Sequence, residues 1–308
     1  MKILITGGAG FIGSHIADRY IELGHEVVIV DNLVTGQKEN IPPKATFYEM
    51  DICDQALKQI FEKEKPEVVG HQAAQMDVRK SVDDPIYDAT VNVLGGLNLF
   101  QNCVKYNVKK VIFASTGGAI YGEQDYFPAD EKHPLRPLSP YGITKLTTEK
   151  YLYFYLQTYK LNHTILRYAN VYGPRQNPHG EAGVVAIFST KILKEDQPVI
   201  NGDGKQTRDY VYVGDVVAAN AIALKTANNK IYNIGTGIET DVNVLFNKIK
   251  DAMGRDVPEV HGEAKAGEQL RSVLDNSLIQ KEQGWKPSVS LGEGLKMTVE
   301  FFKRKFEE

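Results

Sequence analysis

The apolar run Lys2-Ile3-Leu4-Ile5-Thr6 ends in Gly7-Gly8-Ala9-Gly10-Phe11-Ile12-Gly13, and the chain passes from there directly into a helical period. Nothing else in the sequence narrows the fold so far. Glycines let the backbone turn tightly and approach a pyrophosphate closely, while the free N–H groups at a helix start carry partial positive charge toward it. A glycine match alone is weak, but a strand before it and a helix after it make a dinucleotide site the natural reading. The next apolar run, Val27-Val28-Ile29-Val30, ends in Asp31. A carboxylate there accepts hydrogen bonds from ribose hydroxyls and repels a 2′-phosphate, so NAD is favoured over NADP.

The first half alternates β-rich runs with helical periods, the pattern of a parallel sheet covered on both faces. Strands are expected at Lys2 to Thr6, Glu26 to Val30, Thr46 to Met50, Glu67 to His71, Lys110 to Ala114 and Thr164 to Arg167, and helices at Phe11 to Leu23, Asp54 to Glu64, Pro85 to Tyr106 and Pro140 to Tyr159. The expected class is α/β, a Rossmann-type doubly wound parallel sheet in strict β-α alternation, with a smaller C-terminal α/β lobe for substrate. Beyond Arg167 the regularity weakens into loops such as Gly173-Pro174-Arg175 and Asn201-Gly202-Asp203-Gly204. That places the division at 1–165 and 166–308, with some later segments free to return to the first domain.

Composition removes other classes. The 36 Lys and Arg against 39 Asp and Glu leave a net charge of -3 without a basic block, which argues against nucleic acid or an anionic membrane as partner. Met1 to Thr6 shows no signal-peptide h-region and no apolar run is long enough to span a bilayer, so a cytoplasmic protein is expected. The 2 cysteines, Cys53 and Cys103, make neither a disulfide framework nor a metal cluster, and no metal is expected. Cys103, among Leu99, Phe100 and Val104, reads as core.

Tyr141-Gly142-Ile143-Thr144-Lys145 follows the turn signal Ser139-Pro140 at a helix start. Residues four apart share a face, so the Lys145 ammonium can stand near the Tyr141 phenol. That cation, together with an oxidised nicotinamide, is expected to lower the phenol's pKa and make Tyr141 a general base. A helix-surface pair is the plain alternative. Position favours chemistry, because the pair follows the fifth strand and Ser115-Thr116-Gly117-Gly118-Ala119-Ile120-Tyr121-Gly122, where Ser115 or Thr116 can hydrogen-bond a sugar oxygen.

Gly7, Gly10 and Gly13, Tyr141 with Lys145 and the hydroxyl loop before them resemble the extended short-chain dehydrogenase/reductase family, and most closely its UDP-glucose 4-epimerase group, over nearly the whole chain. The resemblance implies an isomerase that keeps NAD bound and inverts a carbon of a UDP-linked sugar through a transient 4-keto form. By the same resemblance Phe11 and Ile12 line the cofactor within the glycine loop, Asn32 lies beside Asp31, Asp51-Ile52 reaches the adenine, Ala73 lies in the block beside the cofactor, and Lys145 doubles as a nicotinamide-ribose ligand. Asn170 and Arg208 would meet the diphosphate; a capped turn and a salt bridge are their plain alternatives. Lys265 or Arg271 would carry a second phosphate contact, and Ser272 stands where relatives have a bulkier residue, leaving room for an N-acetyl group.

Tyr151, Leu152, Tyr153, Phe154, Tyr155, Leu156 and Tyr159 leave the helix after Tyr141 apolar nearly all round, so it needs cover on two sides. A second copy is expected to provide the outer cover, giving a homodimer, with the C-terminal lobe as the alternative. A dehydratase would want an acidic pair in the hydroxyl loop and a decarboxylase its own acid there, where Gly117-Gly118-Ala119 has none, although Glu123 follows nearby. A non-catalytic NAD-binding sensor would have no use for Tyr141 and Lys145.

Overall fold

A computed structural model describes residues 1–178, 183–225, 229–264 and 269–307. From the N-terminus come β1 (Lys2–Thr6), α1 (Phe11–Glu22), β2 (Glu26–Asp31), β3 (Thr46–Glu49), α2 (Leu57–Glu64), β4 (Val68–His71), α3 (Val78–Asp83) and α4 (Pro85–Ala89). A π-turn at Thr90–Gly95 leads into α5 (Gly96–Lys105), followed by β5 (Lys110–Thr116), α6 (Gly117–Ile120), α7 (Pro140–Tyr159) and β6 (Asn162–Tyr168). Each expected strand is present. Because side chains alternate across a strand, Ile3 and Ile5 enter the core on the α1 face while Leu4 enters the core under α2, α5 and α7. Cys103 packs in the second of these cores.

Two expectations about the first half need correction. β2 and β3 are joined without a full helix, by one 3₁₀ turn at Lys38–Asn40, so the alternation is not strict. Pro42-Pro43 removes two backbone donors in this connection, and the chain instead lays Gln37 N onto the Ala9 carbonyl. The expected single helix from Pro85 to Tyr106 is interrupted by the π-turn. At its end Gly95 approaches β3's following loop so closely that an added Cβ would lie 2.9 Å from two carbons of Ile52.

The second half supplies β7 (Asn170–Tyr172), α8 (Val184–Leu193), β8 (Ile200–Asn201), β9 (Thr207–Tyr212), α9 (Val213–Lys225), β10 (Lys230–Ile234), β11 (Glu239–Asp241), α10 (Val242–Met253), β12 (His261–Gly262), α11 (Ser277–Gln283) and α12 (Leu291–Glu307). β10 joins the large sheet, whose order is β10-β6-β5-β4-β1-β2-β3 with every neighbour parallel. α9 packs on α1 and closes that face. A three-stranded sheet, β11-β9-β7, and helices α8, α10 and α12 around a third core form the smaller lobe. Among the described residues no helix is long and apolar enough to cross a membrane.

The chain winds one way through β1, β2 and β3 and the other way through β4, β5 and β6. The carboxyl ends of β1 and β4 therefore bound a crevice, the place where a doubly wound sheet holds its ligand.

Candidate active site

At the end of β1 the backbone turns at Gly7, whose φ of +70° favours glycine, and a Cβ there would lie 2.6 Å from the Ala73 amide nitrogen. A Cβ on Gly13 would fall on the Gly7 carbonyl oxygen. The loop thus leaves room only for backbone, and α1 opens at Gly10 with no side-chain cap on its first N–H groups. Those uncapped donors, facing a cleft of about 1520 Å³, suit a pyrophosphate. Gly7, Gly10, Phe11, Ile12 and Gly13 all line that cleft.

Asp31 is buried at the end of β2 and also lines the cleft. Its carboxylate accepts from Ala9 N at 3.0 Å and Leu33 N at 2.8 Å, so it braces the glycine loop from behind. Burial raises its pKa above the ordinary value, and those two amides pull it back. Asn32 donates to Asp51 at 2.7 Å, and both residues, with Ile52 and Ala73, complete this wall.

Ser139 caps α7 by accepting from Gly142 N at 3.2 Å, and Pro140 takes the first helical position where its missing N–H costs nothing. The cap sets Tyr141 and Lys145 on the cleft side. Lys145 Nζ lies 5.9 Å from the Tyr141 ring centroid and donates to the Ala114 carbonyl at 2.8 Å. Burial brings its pKa down to about 8, against the opposing charges of Asp88 and Glu149. The Tyr141 phenol is hydrogen-bonded to Thr116. Among the chain's own groups, burial and then Asp88 push its pKa up, and Thr116 lowers it. Desolvation disfavours the charged phenolate, so acidifying the phenol calls for positive charge beyond what the chain supplies.

The two hydroxyls at the end of β5 separate. Ser115 donates to Glu149 at 2.6 Å, whereas Thr116 meets Tyr141. Glu149 also forks onto Arg167, at 2.9 Å to Nε and 2.7 Å to Nη2, and Arg167 continues to Tyr121. Both partners of this ion pair are buried, at 2% and 3% side-chain exposure. Sequence reading missed them. A charge inside the apolar strand Ile165-Leu166-Arg167 signals a buried partner, and Glu149 repeats the four-residue step from Tyr141 through Lys145. Asp88, Gln75, Asn92 and Thr144 form a second buried cluster behind the pair, and nothing in the local sequence announces it.

Across the cleft, β7 carries Asn170 and β9 carries Arg208; pairing of Asn170 with Tyr210 sets both on one small sheet, and both line the cleft. Gly118 lies between Asn170 and Thr116, at a point 3.5 Å from Asn170 Oδ1 and 3.9 Å from Thr116 Oγ1 where a Cβ would stand. Arg208 donates to the Thr207 carbonyl at 2.8 Å. Gln176, Lys191 and Gln206 line the same end and were not foreseen.

Two expected substrate residues stand elsewhere. Arg271 forks onto Glu239 at 2.9 and 2.6 Å, stacks 3.7 Å from the Phe127 ring, and does not line the cleft. Its guanidinium is taken up by a surface carboxylate that Thr207 also holds. Ser272 is buried outside the cleft lining. Lys265 lies outside the described residues.

Residues 3–235 match the NAD dependent epimerase/dehydratase family. A putative UDP-glucose 4-epimerase of Methanocaldococcus jannaschii is 52% identical over 98% of both chains. The crystal structure of a UDP-glucose 4-epimerase from Thermotoga maritima with UDP-glucose superposes with a TM-score of 0.97, at 50% identity over 99% of each chain. That of a Thermus thermophilus UDP-glucose 4-epimerase complexed with NAD gives 0.94, at 46% identity over 98% of this chain and 99% of that one. Half-identical sequence carried on a superposable backbone from end to end admits a single assignment: this chain belongs to the NAD-dependent epimerase/dehydratase family.

Proposed function

We infer that this protein is an isomerase that interconverts the C4 epimers of a UDP-sugar, with UDP-glucose and UDP-galactose as the pair, using NAD retained in the cleft. The observation that carries the reading is the Thr116–Tyr141–Lys145 arrangement at the floor of the cleft, between an uncapped glycine cradle and a wall bearing Asn170 and Arg208. Full-length relatives bearing that activity in their names support it.

The glycine loop and the open start of α1 would hold the pyrophosphate, Asp31 the adenosine ribose, and Asp51 with Ile52 the adenine side. Bound NAD supplies a reversible hydride acceptor for C4 and a positive charge that lowers the phenol's pKa. Tyr141 takes the proton of the 4-hydroxyl, and Thr116 donates a hydrogen bond to the same sugar oxygen as the proton leaves. The Lys145 ammonium, fixed by the Ala114 carbonyl, offsets the negative charge of the Tyr141 phenolate until that oxygen takes the sugar's proton. Asn170 and Arg208 hold the diphosphate while the 4-keto sugar turns, so that reduction on the opposite face yields the epimer. Labour divides near residue 165: the Rossmann half serves the cofactor and the later lobe serves the sugar nucleotide, with β10 and α9 returning to the first sheet.

Glu123, the acid nearest the hydroxyl loop, receives Leu270 N at 3.3 Å and does not line the cleft, which disfavours a decarboxylase or dehydratase. A homodimer accords with the outer face of α7, where Tyr153, Phe154 and Tyr159 remain exposed and the C-terminal lobe gives them no cover; Ile86 on α4 and Leu94 on the π-turn beside it are exposed as well. Sedimentation as a monomer at micromolar concentration rejects the dimer.

Purified protein incubated with UDP-galactose should form UDP-glucose, and heat-denatured protein should release NAD detectable by absorbance. Tyr141→Phe should fold and lose at least about 100-fold in kcat. Undiminished turnover in that variant ends the proposal.

A further inference from the structure

Behind the reacting pair, Asp88 on α4 is fully buried. Its carboxylate receives Thr144 Oγ1 at 2.7 Å, Gln75 Nε2 at 2.8 Å and Asn92 Nδ2 at 3.1 Å. All three donors are neutral, and among the described residues Asp88 makes no ion pair. A buried carboxylate is costly unless it is fully hydrogen-bonded or faces a cation. Thr144, its partner on α7, directly precedes Lys145. Asn92 belongs to the π-turn, and Gln75 to the loop after β4 that lines the cleft.

Resting on the epimerase reading above, we propose that Asp88 is a positioning residue for the reaction: its carboxylate ties the first turn of α7 to the cleft loop and supplies the charge that holds Lys145 as an ammonium. The other groups around Lys145 do not replace it. Glu149, one turn along α7, is already forked onto Arg167 of β6. His71 at the end of β4 is kept neutral, its pKa brought to about 3 by burial and then by Lys145 itself. Arg79, Lys80 and Asp83 of α3 and Tyr87 of α4 border the cleft on its open side. Lys110 and His163 stand at the amino ends of β5 and β6, away from the reacting ends, while Cys103 and Lys105 lie toward the close of α5, and the π-turn and α6 carry no titratable side chain. The effect of Asp88 reaches both members of the pair, opposing the burial that lowers Lys145 and adding to the burial that raises Tyr141.

Asp88→Asn separates charge from shape. The amide oxygen still accepts from Gln75 and Asn92, and its NH2 donates to Thr144 Oγ1, whose own proton has the Tyr141 carbonyl at 3.0 Å as acceptor. One unit charge acting across roughly 6–12 Å of protein at an effective dielectric of about 20 moves a neighbour's pKa by roughly one to two pH units. The kcat–pH profile for UDP-galactose, measured on the NAD-loaded enzyme, should therefore move bodily toward acid by about one pH unit. Its rising limb follows Tyr141 and its falling limb follows Lys145. Should the amide variant fail to fold, Asp88→Ser, neutral and smaller, is predicted to give the same displacement. A profile that stays in place while only thermal stability falls would show that Asp88 braces the helix as a neutral group, and would overturn the proposal. A native enzyme inactive at every pH would refute the epimerase reading, and this assignment with it.

Discussion

Replacing Glu149 by Gln attacks the most deeply buried ion pair of the molecule's reacting half. Oε1 accepts both Ser115 Oγ at 2.6 Å and Arg167 Nε at 2.9 Å, while Oε2 accepts Arg167 Nη2 at 2.7 Å. Glutamine can retain the Oε1 contacts, but its NH2 then faces Nη2, two donors where a donor and an acceptor stood. Arg167 is left as a buried cation without a counter-charge, and breaking a buried pair in this way costs about 3–5 kcal/mol. For a chain of 308 residues each kcal/mol lowers Tm by roughly 1.5 °C, so a fall of about 5–8 °C is expected. The double variant Glu149→Leu with Arg167→Met removes both charges from the apolar interior and should recover most of that loss, since desolvation largely cancels the attraction of such a pair. Urea unfolding of the native protein, both single variants and the double variant closes the cycle. The reasoning fails if Glu149→Gln unfolds within about 0.5 kcal/mol of the native protein, or if the double variant loses as much as the two single variants together.

Because Ser115 is committed to Glu149 and Thr116 to Tyr141, Ser115→Ala should reduce stability and keep kcat within a few-fold, whereas Thr116→Ala should lower kcat by about 10–100-fold; the reverse order would exchange their roles. Gly13→Ala drives a Cβ into the Gly7 carbonyl, and the purified variant should carry no NAD, an outcome read by absorbance after denaturation. His71, buried against Phe100 and Phe113 and bonded to Thr6 at 2.8 Å, stays neutral in the folded protein until about pH 3, while the unfolded imidazole protonates near 6.5. The unfolded state binds the extra proton between those values, so the stability gained from neutral His71 is complete above about pH 6.5 and is lost progressively as pH falls toward 3. Urea midpoints measured from pH 7 to pH 4 should fall less steeply in His71→Asn.

What was legible in the sequence is what local chemistry dictates. Gly7 to Gly13 must turn and expose backbone, a strand buried on both faces reads as Val27-Val28-Ile29-Val30, and Ser139-Pro140 starts a helix wherever it is met; the glycine loop, Asp31 behind it and the Tyr141–Lys145 face follow from these, whereas Asp51, Ile52 and Ala73 came only from the resemblance. The failures share one cause. Whether Ser115 or Thr116 faces the phenol, and whether Arg271 reaches the cleft or turns onto Glu239, each depend on a partner distant in the chain. Spacing alone places an ammonium beside the Tyr141 phenol, while the elements packed around it add a desolvation that raises its pKa and that no local pattern announces. A phenol raised by burial is a poor base until positive charge arrives with the cofactor.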